Sequence, residues 1–160
     1  MTLFEFKSEK SVANWFCLND TVMGGISNSQ LSFVEQGVVK FHGEVSLENN
    51  GGFSQIKYAK THFDLSHFKG LKLSVKGDNK DYQLRLQTDA PHISYAQSFF
   101  ARDKWHEVKL EFRSFKATYR GQDVENAPVL NKADIRSFSL LIADKQAGRF
   151  ALLFSSIKTY

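Results

Sequence analysis

The chain has 160 residues, 42% hydrophobic and 24% charged, with 21 Lys and Arg against 17 Asp and Glu for a net charge of +4. That length suits one domain spanning residues 1–160 and leaves no room for two independent cores. The 14% aromatic content excludes a disordered chain, and the small positive excess is too weak alone to argue for nucleic acid.

In chain order, Leu3–Lys7 reads as a first strand, with no apolar stretch of the kind a secretory signal carries. After the segment from Trp15 to Ser29, Gln30–Val34 reads as a second strand. In Val38–Leu47, the residues Val39, Phe41, Gly43, Val45 and Leu47 alternate with Lys40, His42, Glu44 and Ser46, which predicts one buried and one wet face. Asn49, Asn50, Gly51 and Gly52 predict a hairpin turn into a strand at Phe53–Tyr58. Asp64 to Gly70 reads as a single helical turn. The same alternation returns in Leu71, Leu73 and Val75, in Tyr82, Leu84 and Leu86, and in Val108, Leu110 and Phe112. Ile93–Phe100, Ser137–Ala143 and Phe150–Ile157 complete the strands, with a second helical turn at 131–134. No segment carries a sustained helical period, and no apolar run approaches the ~18 residues of a membrane span. About ten short strands predict an all-β sandwich or barrel. The 15 Phe, including Phe41, Phe53, Phe112, Phe138, Phe150 and Phe154, are expected to fill the space between two sheets.

Chemistry-bearing patterns are sparse. Cys17, the single cysteine, excludes an internal disulfide framework or a Cys-based zinc cluster, and its apolar neighbours predict an inert buried thiol. The five His make no metal-ligand spacing, and there is no nucleophile elbow. Asn19, Asp20, Met23, Gly24, Gly25 and Ser27 form a Gly-rich loop that would suit an anion, a hydroxyl or a partner backbone; a tight bend between strands is the stronger expectation. Glu48, Asn49 and Asn50 make only a thin calcium site, and a hairpin turn is favoured. Lys72, Lys76, Arg85, Arg102, Arg113, Lys116 and Arg120 could form a basic strip on one sheet face. Ordinary solvation and edge protection explain such a strip first, and single-stranded nucleic acid second. Trp15, Tyr95, Trp105 and Tyr119 could serve as sugar platforms, with core packing favoured for both Trp.

Taken together, the two Gly-rich segments are more specific than either alone. Asp20 to Ser27, followed by Phe41 to Phe53, resembles the complex I intermediate-associated protein family. Asp64 with Gly70, Val75 to Asp78, Trp105, Tyr119 to Gly121, Ile142 to Asp144 and Gly148 to Phe150 follow in the family's order. The resemblance implies a galactose-binding-like jelly-roll β-sandwich in a free-standing bacterial member. It further implies a non-catalytic, cytoplasmic interaction module that resembles assembly factors and chaperones. A protein partner such as a respiratory-complex subunit or intermediate would contact the two loops and Arg120, with no cofactor and no nucleic acid. A glycan or other small ligand is the alternative. Lys57 stands where the family pattern leads one to expect Arg.

Overall fold

The computed structural model describes residues 1–19, 27–48, 52–59, 61–90, 92–143 and 146–160. These residues form thirteen strands: β1 (Thr2–Phe4), β2 (Phe16–Asn19), β3 (Asn28–Glu35), β4 (Val38–Val45), β5 (Ser54–Tyr58), β6 (Gly70–Lys76), β7 (Lys80–Gln87), β8 (Ser94–Ala101), β9 (His106–Glu111), β10 (Lys116–Tyr119), β11 (Gln122–Asp123), β12 (Ser137–Ile142) and β13 (Gly148–Thr159). Their hydrogen bonds make two antiparallel sheets. One runs β3-β4-β13-β6-β9, with β1 also on β13, and the other runs β11-β10-β8-β7-β12-β5-β2. The result is a β-sandwich of the galactose-binding-like jelly-roll type.

Alternation decides which side chains meet between the sheets. Val39 and Phe41 on β4, Leu71, Leu73 and Val75 on β6, Leu84 and Leu86 on β7, and Phe138 and Leu140 on β12 are all buried. Aromatic rings pack edge to face within and between the layers: Phe41 meets Phe150 of the neighbouring strand at 4.9 Å, Phe6 meets Phe154 at 5.4 Å, and Phe4 of β1 meets Phe138 of β12 across the layers at 5.1 Å. Each fully buried side chain of this size contributes about 1.5–3 kcal/mol. One polar group is carried into this interior with its partner. The Tyr82 hydroxyl donates to Asp78 Oδ1 at 2.9 Å, and Asp78 Oδ2 accepts from the Ala151 N–H at 2.9 Å. Burial and the neighbouring Asp78 carboxylate push the Tyr82 hydroxyl far up, so it stays a neutral donor.

Several expectations are corrected. The strands flanking Asn49 to Gly52 do not form a hairpin, since β4 lies in the six-stranded sheet and β5 in the seven-stranded one. The segments at 64–70 and 131–134 are turns rather than helical turns. Asp64 Oδ1 accepts from the Ser66 N–H at 3.0 Å, and Asn131 Oδ1 accepts from the Ala133 N–H at 3.2 Å. Each segment keeps a single i→i+3 backbone bond, Phe68 N–H to the Leu65 carbonyl and Asp134 N–H to the Asn131 carbonyl at 3.1 Å, and goes no further than that one turn. Short 3₁₀ helices lie at Glu9–Val12 and Phe112–Ser114. Cys17 is exposed, because β2 is the outermost strand of its sheet. Leu47 lies past the end of β4 and is exposed, and Phe53 precedes β5 and lies outside the packed cluster. Trp15 packs in the core, but Trp105 is 44% exposed at the start of β9.

Candidate functional site

The Gly-rich loop expected at the site joins β2 of one sheet to β3 of the other. Its described ends are sewn into the scaffold. Asn19 Oδ1 accepts from the Ser29 hydroxyl at 2.8 Å and from the Gln55 N–H at 3.4 Å. The Ser27 hydroxyl, 2% exposed, accepts from the Ser46 N–H at 2.9 Å and donates to the Ser46 carbonyl at 3.3 Å. Alongside them, Cys17 Sγ donates to the Ser29 carbonyl at 3.2 Å and Ser54 Oγ to the Asn28 carbonyl at 3.2 Å. These bonds tie the start of β3 to β2 and β5, closing one side of the sandwich. Backbones approach so closely there that a Cβ on Gly43 would overlap the Asn28 carbonyl and lie 2.7 Å from Ser29 Cα.

Asp20, Met23, Gly24, Gly25, Asn49, Asn50 and Gly51 lie outside the described residues. Gly52, at the end of the second motif, has a φ of +141°, a conformation that favours glycine. Glu48 is exposed at the far side of the Ser27–Ser46 tie, with its N–H donating to Ser46 Oγ at 3.2 Å.

Arg120 leads to a different place. It sits at the tip of the β10–β11 hairpin, where Tyr119 pairs with Gln122 and the two turn residues, Arg120 and Gly121, have φ of 50° and 78°. Two successive positive φ values mark a tight hairpin turn of the primed type, in which Asn-Gly is the favoured pair. The Arg120 guanidinium lies 5.3 Å from the Tyr119 ring centre. The hairpin tip lines a cleft of about 440 Å³ with Phe53, Gln55, Arg85, Leu141 and Ala143. Since β10 is three strands from β12, the outward face of the seven-stranded sheet is cupped beneath the hairpin.

The register shows what that face offers. One row crosses Phe16, Lys57, Ser139, Arg85, Ala96 and Lys116, and the next crosses Leu18, Gln55, Leu141, Gln83 and Ser98. Neither row holds a carboxylate. Leu141 is outward-facing yet only 2% exposed, which makes it an apolar floor. Around it, Lys57 Nζ donates to Gln87 Oε1 at 2.6 Å and Ser137 Oγ donates to the same oxygen at 3.0 Å. Gln87 Nε2 donates to Ser94 Oγ at 3.1 Å, and the Arg85 guanidinium donates to Gln83 Oε1 at 3.0–3.1 Å. Burial holds the Lys57 ammonium below its ordinary pKa.

The predicted basic strip is therefore divided. Arg85 and Lys116 face outward on the seven-stranded sheet, whereas Lys72 and Lys76 belong to the six-stranded one. The expected sugar platforms scatter as well. Tyr95 is buried, its hydroxyl donating to the Pro128 carbonyl at 2.8 Å; Trp15 is core; Trp105 lies on the other sheet. Of the described residues lining the cleft, only Phe53 is aromatic. No group of three or more His, Cys, Asp or Glu converges among the described residues. Sequence reasoning missed Gln55, Arg85 and Leu141 as site residues. The signal available was the outward parity of Arg85 against Tyr82, Leu84 and Leu86, with nothing to show which strands would flank it.

Comparison with known proteins adds two kinds of likeness. The profile of the family described as Complex I intermediate-associated protein 30 (CIA30) matches residues 4–154. An uncharacterised protein of Schizosaccharomyces pombe is 29% identical over 165 residues, covering 88% of this chain and 75% of its own length. The mitochondrial complex I intermediate-associated protein 30 of Mus musculus is 26% identical over 175 residues. That alignment covers 94% of this chain but 53% of the mouse protein, so the chain spans about half of that relative's length. In three dimensions, a family 11 carbohydrate-binding module of a Clostridium thermocellum cellulase superposes with a TM-score of 0.72 at 16% identity, covering 98% of this chain and 92% of the module. At that identity the likeness speaks for the fold alone.

Proposed function

The chain belongs to the complex I intermediate-associated protein 30 family, and from that premise we propose that it is a non-catalytic protein-interaction module of the assembly-factor kind. Residues 1–160 act in this proposal as one β-sandwich unit, and its partner is a respiratory-complex subunit or assembly intermediate. The observation that carries the reading is the cupped outward face of the seven-stranded sheet. There Arg120 overhangs a Leu141 floor, within a row of hydrogen-bonding side chains free of carboxylates. An apolar floor rimmed by guanidinium groups and amides is the pattern of a protein-binding patch. The cytoplasmic location expected from the sequence belongs to the same proposal; the mouse relative's name places that protein in mitochondria.

Glycan binding is the second reading. It is favoured by the likeness to a Clostridium thermocellum family 11 module solved in complex with a β-1,3-1,4-mixed-linked tetrasaccharide, with a TM-score of 0.71. Against it, Phe53 is the one aromatic side chain among the described residues that line the cleft, where sugars would stack on Trp or Tyr. Affinity purification from the native host with wild-type and Arg120→Asn baits separates the two. The proposal expects respiratory-complex subunits with the wild type and their loss with the variant. Recovery of the bait alone, together with a glycan-array signal that Arg120→Asn abolishes, would transfer the face to the second reading.

A further inference from the structure

The outward face of the six-stranded sheet carries a feature that the cleft does not use. The register sets Lys158 directly opposite Lys72, and Lys72 directly opposite Lys109. Three lysines thus form a row across β13, β6 and β9 within two strand spacings, about 10 Å. Farther along the same face, Lys76 stands opposite Leu153, which stands opposite Lys40 on β4. Like charges directly opposite each other weaken a ladder. Among the described residues, none of these five lysines makes an ion pair.

Edge protection does not account for them. Lysines blunt the free edge of a sheet, and β9 is such an edge, but β6 and β13 are hydrogen-bonded on both sides. Among the described residues the acids of these strands leave an excess of lysine on this face. Glu44 stands opposite Arg149, Glu111 is held by Arg113 at 2.5 Å, and Glu107, opposite Ser74, is a single carboxylate beside the row. Trp105, 44% exposed, immediately precedes β9, whose first residue His106 pairs with Val75, the residue before Lys76.

We infer that the outward face of the six-stranded sheet docks on an anionic lipid surface through the Lys158–Lys72–Lys109 row and Lys76, with Trp105 at the headgroup level. The side-chain types favour lipid over a fixed acidic partner. The row is built from ammonium groups, mobile point charges on long stems, and not from the planar forks that bind one carboxylate or phosphate in a set geometry. Headgroups in a fluid leaflet rearrange to meet such charges. An exposed Trp next to them is the side chain that settles at a membrane–water boundary. This face lies on the opposite sheet from the Arg120 cleft, and the inference does not depend on what occupies that cleft.

Sedimentation of the full chain with vesicles tests it, comparing phosphatidylcholine alone with phosphatidylcholine containing roughly one-third phosphatidylserine. Binding is expected only to the anionic vesicles, with a blue shift of Trp105 emission and loss at about 1 M salt, where the Debye length falls to about 3 Å. Each lysine held near such a surface strengthens binding about fivefold. The triple variant Lys72→Gln, Lys109→Gln, Lys158→Gln should therefore bind about a hundredfold more weakly, while its melting temperature holds or rises as repulsion is removed. Lys116→Gln, on the opposite sheet, should bind as wild type does. Equal binding to both vesicle types would overturn the inference, as would undiminished binding by the triple variant or an equal loss with Lys116→Gln. Binding to polyglutamate but to neither vesicle would assign the face to an acidic protein instead.

Discussion

Replacing Ser27 with Ala tests whether the Gly-rich segments are scaffold or ligand loop. The Ser27 hydroxyl is 2% exposed and satisfies both the N–H and the carbonyl of Ser46, at 2.9 and 3.3 Å. Alanine removes donor and acceptor together and leaves two backbone groups unpartnered. A lost buried partner costs about 1–3 kcal/mol, and Ser46 is only half-buried, which places this case at about 1–2 kcal/mol. For a chain of this size that lowers the melting temperature by about 2–8 °C. Urea unfolding at neutral pH measures the difference directly, with an unchanged m-value expected. Glu48→Ala, exposed and beyond the tie, is the control and should stay within about 0.5 kcal/mol of wild type. Should Ser27→Ala melt as wild type does yet lose partner binding, the hydroxyl serves recognition and the scaffold argument fails.

The hairpin tip makes the opposite prediction. Arg120 occupies a left-handed position, φ 50°, that Asn adopts more easily. Arg120→Asn should hold or raise stability by up to about 1 kcal/mol while weakening the partner; a variant that is both less stable and fully competent contradicts the assignment. For the buried Tyr82–Asp78 pair, Asp78→Ala should cost more than Tyr82→Phe, because it strands the hydroxyl and the Ala151 N–H together. In the double variant the two losses should sum to more than the measured effect, and strict additivity in denaturant melts would show that the pair is uncoupled. A pH effect follows from His42 and His106. Burial first, and then Lys40 beside His42 and Arg102 and Lys104 beside His106, hold both rings below the ordinary 6.5. The unfolded chain then binds more protons in the window below pH 6.5, so stability should fall as pH drops through it. The double variant His42→Gln, His106→Gln should flatten that slope, and an unaltered slope would assign the acid sensitivity elsewhere.

How far the sequence could be read depends on where each signal resides. Strands with a strict period of two, such as Leu71 to Val75 and Tyr82 to Leu86, are legible because one side meets the core and the other water. The short strands β2, β10 and β11, toward the two ends of their sheet, have no such contrast and are not legible in the sequence. Phe53 and Leu47 carry apolar labels but lie beyond the strand ends, where parity no longer decides burial. Arg120 could be singled out by resemblance, whereas Gln55, Arg85 and Leu141 could not. Their meeting depends on strand order, which brings residues 55, 85, 120 and 141 together from four separate stretches of chain. The lysine row is hidden for the same reason: Lys72, Lys109 and Lys158 become neighbours only through the register of β13, β6 and β9.

In the proposed function a protein partner occupies the Arg120 cleft. Quantitative affinity purification from the native host, comparing wild type with Arg120→Asn at matched folded concentration, addresses it most directly. A stoichiometric respiratory-complex subunit is expected with the wild type and at least a tenfold loss with the variant, about 1.4 kcal/mol or more. The same partner recovered equally by both baits, or no partner with either, would contradict it.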